Sequence, residues 1–125
     1  MRRRVLIVDD EDDIREVAQV TLEMMGGWEV VAASSGSEAL RLAEMERPDA
    51  ILLDVMMPDM DGPATLRRLR ENPATRGIPV VLLTAKAQAA DPHGLSGPGA
   101  AGVLRKPFDP TTLADELARV LGWGR

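Results

Sequence analysis

Three short runs along the chain are apolar throughout: Val5-Leu6-Ile7-Val8, Ala50-Ile51-Leu52-Leu53 and Val80-Val81-Leu82-Leu83. Uniform rather than alternating hydrophobicity marks strands covered on both faces, the condition of a parallel sheet. Trp28–Ala32 and Gly102–Leu104 predict two weaker strands. The segments between them carry helical periodicity. Ile14, Val17, Ala18, Thr21, Leu22 and Met25 follow the i, i+3, i+4 spacing of one inward face, and Gly26-Gly27 stops that helix. Ser35 and Glu38 have the spacing of a capping box ahead of Ala39, Leu40 and Ala43, and Pro48 closes the connection that follows. A third helix is predicted from Asp61-Gly62-Pro63, carrying Leu66 and Leu69. A last one is predicted from Asp109-Pro110, with Leu113, Leu117, Val120 and Leu121 inward.

This alternation predicts an α/β fold, a flavodoxin-like doubly wound parallel sheet of five strands in the order 2-1-3-4-5. One stretch breaks the pattern. Where a further helix is due, between Ala87 and Gly102, the chain places Pro92, Gly94, Gly97, Pro98 and Gly99. Glycine and proline cost about 1 and 3 kcal/mol in a helix interior, so this helix is expected to be degraded into a loop.

At 125 residues the chain fits one domain, 1–125, with a core large enough to need neither disulfide nor structural zinc. Fifteen basic against 20 acidic side chains leave a net charge of −5, which disfavours direct nucleic-acid binding through clustered Lys and Arg. There is no cysteine, which excludes thiol catalysis and thiolate metal sites and fits a reducing cytoplasm. No apolar run approaches the ~20 residues of a membrane span, and the one after Arg2-Arg3-Arg4 is too short for a signal peptide. The expectation is a cytoplasmic protein without membrane contact.

The polar residues that follow the strands are the informative ones. Strand one ends at Asp9-Asp10, strand three at Asp54 and strand four at Thr84, and Lys106 follows strand five. In an open α/β sheet the site lies beyond the carboxyl ends of the strands, where strand order reverses, so these five residues should converge. Taken singly, each has an ordinary reading. Thr84 is a common strand end, Lys106 a common surface lysine, and acids such as Asp12 and Asp13 complement a helix dipole. Taken together they describe a site. Three crowded carboxylates call for a cation, oxygen-only donors favour Mg²⁺, and a carboxylate there can attack phosphorus. Lys106 and the Thr84 hydroxyl could then serve the phosphoryl oxygens.

The motifs Val5-Leu6-Ile7-Val8-Asp9-Asp10-Glu11, Leu52-Leu53-Asp54-Val55-Met56-Met57-Pro58 with Asp61-Gly62, Leu83-Thr84-Ala85 and Lys106-Pro107-Phe108 resemble, in order, those of the receiver domains of two-component response regulators. The resemblance runs over nearly the whole chain and is closest to single-domain receivers of the chemotaxis type. It implies that Asp54 is the phosphoacceptor, charged from a sensor histidine kinase or a histidine phosphotransfer protein. It implies Mg²⁺ held by Asp10, Asp54 and the Met56 carbonyl, with Asp9 acting through water, and a cis Lys106–Pro107 bond. It also implies output by contact with a downstream protein. Nothing beyond the last helix suggests an output domain, so the chain reads as a stand-alone receiver or one taken from a larger regulator.

Two features depart from the family pattern. Val103 stands where an aromatic switch residue is common, and the 87–102 segment lacks a helical sequence. They make a non-phosphorylated pseudo-receiver the alternative reading. A phosphohydrolase of the haloacid-dehalogenase type would need a second Asp two positions after the nucleophile, where Met56 stands. His93, the only histidine, sits among Pro and Gly as a loop residue.

Overall fold

The computed structural model describes residues 2–85 and 100–124. Strands β1 (Arg4–Val8), β2 (Glu29–Ala33), β3 (Ala50–Asp54), β4 (Val80–Thr84) and β5 (Ala100–Arg105) form one sheet in the order β2-β1-β3-β4-β5. Every pairing is parallel. Helices α1 (Asp12–Gly26), α2 (Gly36–Glu46), α3 (Gly62–Glu71) and α4 (Leu113–Leu121) cover its faces.

The two-fold side-chain alternation of the strands divides the core in two. Val5, Ile7, Leu52, Val81, Leu83 and Leu104 point to one face and pack with Ala18 and Leu22 of α1 and Leu113, Leu117 and Ala118 of α4. Leu6, Val8, Ile51, Leu53, Val80 and Leu82 point to the other and pack with Ala39 and Ala43 of α2 and Leu66 and Leu69 of α3. The apolar runs of β1, β3 and β4 are therefore covered on both faces. Opposite the carboxyl end of the sheet, Trp28 and Trp123 meet edge to face at 5.2 Å, and the Arg3 guanidinium lies 4.4 Å from the Trp123 ring.

The predicted capping signals are present, with refinements. Gly27 terminates α1 in the left-handed region, at φ 70°. The Ser35 hydroxyl accepts from the Glu38 N–H, but Glu38 returns its bond to Ser34 N (2.7 Å) rather than to Ser35. Asp61 caps α3 by accepting from Ala64 N at 2.8 Å. Three expectations are corrected. In α1, Val17 and Met25 are 44 % and 48 % exposed, and the buried stripe is the narrower Ala18, Thr21 and Leu22. Val17 lies about 100° round the helix from Ala18, and Met25 sits in the last turn, at the helix end. The last helix starts three residues late. Asp109 instead closes a turn by accepting from the Thr111 N–H and hydroxyl, and Thr112 becomes the cap position. Val120 and Leu121 are only half-buried. Finally, Ala100–Gly102 belong to β5 rather than to the expected loop. The rest of that loop, His93 included, lies outside the described residues.

Gly62 shows how tightly the layers meet beside the strand ends. A Cβ on it would lie 2.8 Å from Val55 Cα and 3.0 Å from the Asp54 carbonyl oxygen, whereas one on Gly77 would meet nothing within 4 Å. Gly62→Ala should lower stability by about 1–3 kcal/mol in urea denaturation, the range of an overpacked core. Gly77→Ala should stay within about 0.5 kcal/mol of the parent. Equal midpoints for the two variants would show that the backbone around Asp54 yields at no cost.

Candidate functional site

The parallel register brings the carboxyl ends of the strands to one edge. Val8 pairs with Leu53, Leu53 with Leu82, and Thr84 with Arg105, so the residues at and just after those positions leave the sheet side by side. Asp9, Asp54 and Thr84 are buried there. Asp10 is the more open of the acids. Asp9, Asp10 and Asp54 each offer a carboxylate oxygen within 4.8 Å of the others.

Lys106 reaches into this cluster from the end of β5. Its Nζ lies 2.9 Å from Asp9 Oδ2, 3.3 Å from Asp54 Oδ1 and 3.8 Å from Glu11 Oε1. The Lys106 N–H donates to the Thr84 carbonyl at 2.7 Å, which fixes the residue against β4, and the Lys106–Pro107 bond is cis. Asp9 Oδ1 accepts from the Glu11 N–H in a tight Asx turn, and Asp54 Oδ1 accepts from the Met56 N–H at 3.3 Å. Each carboxylate is thus aimed by its own local chain.

Among the described residues, one ammonium faces three carboxylates, which leaves an excess of negative charge in a water-poor place. The titration behaviour follows. Burial pushes the Asp54 carboxyl up from 3.8 to about 6, the charge of Asp9 adds to this, and Lys106 opposes it. For Lys106, burial works against the charged form, but the neighbouring Asp9 and Asp54 carboxylates outweigh it and raise the pKa. The buried Asp9 Oδ2 has the Lys106 ammonium as its partner at 2.9 Å. An all-oxygen donor set of three clustered carboxylates fits a hard divalent cation such as Mg²⁺.

The structure thus brings together Asp9, Asp10, Asp54 and Lys106, with Thr84 at the end of the neighbouring strand. The three methionines near Asp54 divide: Met57 is buried in the core, Met60 is half-buried, and Met56 is 56 % exposed. Val103 is half-buried against the Leu82 side of the core, which accounts for a small apolar residue there. Two residues were not singled out from the sequence. Glu11 extends the Lys106 network, and Arg15 donates from Nη1 to the Asp9 carbonyl (2.9 Å) while pairing with Asp12 (2.6 Å). The i, i+3 spacing of Asp12 and Arg15 was the available signal.

Residues 5–118 match the response regulator receiver domain family. The response regulator PleD of Caulobacter vibrioides is 46 % identical over 116 residues, covering 90 % of this chain and 25 % of PleD. The chain spans about half the length, or less, of the curated relatives it matches. Among solved structures, the chemotaxis response regulator CheY4 of Vibrio cholerae is similar at a TM-score of 0.87 and 37 % identity, over 96 % of this chain and 99 % of that one. The receiver domain of the sensor histidine kinase PA1611 from Pseudomonas aeruginosa is similar at 0.84 and 32 %, over 98 % and 99 %, and holds a magnesium ion in its active-site cleft.

The raised Asp54 pKa has a definite consequence for stability. The folded state holds this proton more tightly than the unfolded chain, so ionising Asp54 costs folding free energy. Stability should fall as pH rises from about 4 to about 6 and the loss should persist above that. In metal-free buffer, Asp54→Asn should therefore exceed the parent by roughly 1–3 kcal/mol at pH 7.5, with the gap closing towards pH 4. Chemical denaturation across that range measures it; a constant gap would mean that Asp54 titrates normally.

Proposed function

The chain belongs to the response regulator receiver domains, and from that membership we propose that it is a phosphoacceptor of a two-component pathway, with Asp54 as the acceptor. The donor is the phosphohistidine of a sensor histidine kinase or of a histidine phosphotransfer protein. A carboxylate oxygen of Asp54 attacks phosphorus, the P–N bond breaks, and its electron pair returns to the imidazole nitrogen, which takes up a proton. The product is an aspartyl phosphate whose signal passes to a downstream protein by contact, with the whole of 1–125 acting as the receiver unit. The only chemistry the chain itself promotes is then its own phosphorylation and dephosphorylation.

The observation that carries this reading is the burial of Asp54 beside Asp9, Asp10 and the Lys106 ammonium. Receiver domains bind Mg²⁺ in such an acidic pocket. Here Asp10, Asp54 and the Met56 carbonyl would hold it, with Asp9 acting through water; the ion supplies positive charge against which phosphoryl oxygens and carboxylates can approach one another. The protein's own residues do the rest. Lys106, held between Asp9 and Asp54 in the resting state, is near enough to transfer its contact from the Asp54 carboxylate to the incoming phosphoryl oxygens. The Thr84 hydroxyl can donate to another of them.

No helix of the described residues is long and apolar enough to cross a membrane, in keeping with a cytoplasmic location for this chemistry.

Incubation with a small phosphodonor such as acetyl phosphate, followed by intact-mass measurement, should show one Mg²⁺-dependent phosphoryl addition. Asp54→Ala should abolish it, and Lys106→Ala should leave Mg²⁺ binding intact while reducing the yield. No addition to a protein that binds Mg²⁺ would make the chain a pseudo-receiver.

A further inference from the structure

The loop that carries Met56 is fastened at both ends, and its far fastening is not part of the acidic cluster. At the near end, the Val55 N–H donates to Leu83 O at 3.0 Å and the Gly62 N–H to Val55 O at 2.9 Å. At the far end, Asp59 crosses to the start of α2. Its Oδ1 accepts from the Gly36 N–H at 3.2 Å; its Oδ2 accepts from the Ser37 N–H at 3.2 Å and the Ser37 hydroxyl at 3.0 Å. Burial would raise the Asp59 pKa, but these bonds outweigh it and hold the carboxyl below its ordinary value.

The neighbouring contacts show that the crossing is close. The Thr65 hydroxyl donates to the Met60 carbonyl at 3.3 Å. A Cβ on Gly36 would lie 2.9 Å from both Met60 Cβ and Met60 O, and 2.5 Å from Thr65 Oγ. The start of α2 therefore meets the loop and the first turn of α3 at a position where only a glycine fits. Helix α2 already has its own cap, since Ser35 Oγ accepts from Glu38 N. What Asp59 adds is a connection between the helix and a loop 22 residues further along.

We propose that Asp59 is a positioning residue for the metal site: by tethering the loop to α2 it holds the Met56 carbonyl in place for Mg²⁺. This rests on the phosphoacceptor reading, which makes Met56 a ligand. Groups that orient a metal's direct ligands change affinity by about 10–100-fold when removed, and an exposed tether belongs at the low end.

The test is Mg²⁺ titration by calorimetry on the full chain, with thermal unfolding in parallel. Asp59→Ala should weaken Mg²⁺ binding about tenfold. Asp59→Asn keeps one acceptor oxygen but turns an amide NH2 towards a backbone N–H, and it should weaken binding by less than Asp59→Ala does. Ser37→Ala, which removes one bond of the tether, should weaken binding in the same direction by less. Ser35→Ala should lower the thermal midpoint while leaving Mg²⁺ affinity unchanged. Unchanged affinity in Asp59→Ala would overturn the proposal. So would Asp59→Asn binding as weakly as Asp59→Ala, which would make the effect one of charge, or Ser35→Ala binding as weakly, which would make it one of helix stability. A parent protein that binds no Mg²⁺ would instead remove the phosphoacceptor reading, and this proposal with it.

Discussion

The Lys106 ammonium group, placed among buried carboxylates, governs this molecule. Lys106 pairs with Asp9 from the end of β1 and Asp54 from the end of β3, and its backbone is bonded to the end of β4. Three strand ends are thereby tied by one residue from a fourth. Ion pairs in such places gain little net stability, because desolvation offsets most of the Coulomb attraction. Their effect is on responsiveness. Among the described residues the site contains more negative than positive charge, so a divalent cation, a proton or a change in the charge on Asp54 each alters its balance.

A site under that electrostatic load needs a stiff support, and the sheet supplies it. Each central strand is apolar on both faces, and the side chains of β1, β3 and β4 pack to two separate cores. Interiors of that density transmit displacement rather than absorb it. The carboxylates cannot relieve their repulsion by moving apart without disturbing Leu52, Leu53, Leu82 and Leu83, all fully buried. The adjustable parts are the connections beyond the strand ends. There the Asx turn at Asp9, the Arg15 contact with the Asp9 carbonyl and the Asp59 tether fix the backbone by individual hydrogen bonds.

Membership of the receiver family and the makeup of this site point the same way, and one departure from the family pattern, Val103, has a local explanation. Val103 fills a half-buried place on the Leu82 side of the core, where a small apolar side chain packs. Two residues past Asp54, Met56 is exposed, while Met57, one residue on, is core. Both lie beyond the end of β3, and only Met57 turns into the core.

The strands, the helices and the convergence of Asp9, Asp10, Asp54, Thr84 and Lys106 were legible in the sequence. Uniform apolar runs of four residues admit few placements, and parallel strands joined by helices must bring their carboxyl ends to one edge. Boundaries were less legible. Asp109-Pro110 carries a helix-start signal but closes a turn instead, since an aspartate can cap a turn as well as a helix. Periodicity placed Val17 inward, yet how wide a stripe α1 buries depends on what packs against it. Only the tertiary structure decided the pairing of Lys106 with both Asp9 and Asp54, the raised Asp54 pKa, and the bridge from Asp59 to Gly36 and Ser37. The physical reason is the range of the forces. Hydrophobic periodicity and capping act between residues a few positions apart and can be read along the chain. Desolvation and ion pairing depend on which distant segments share a volume from which water is excluded.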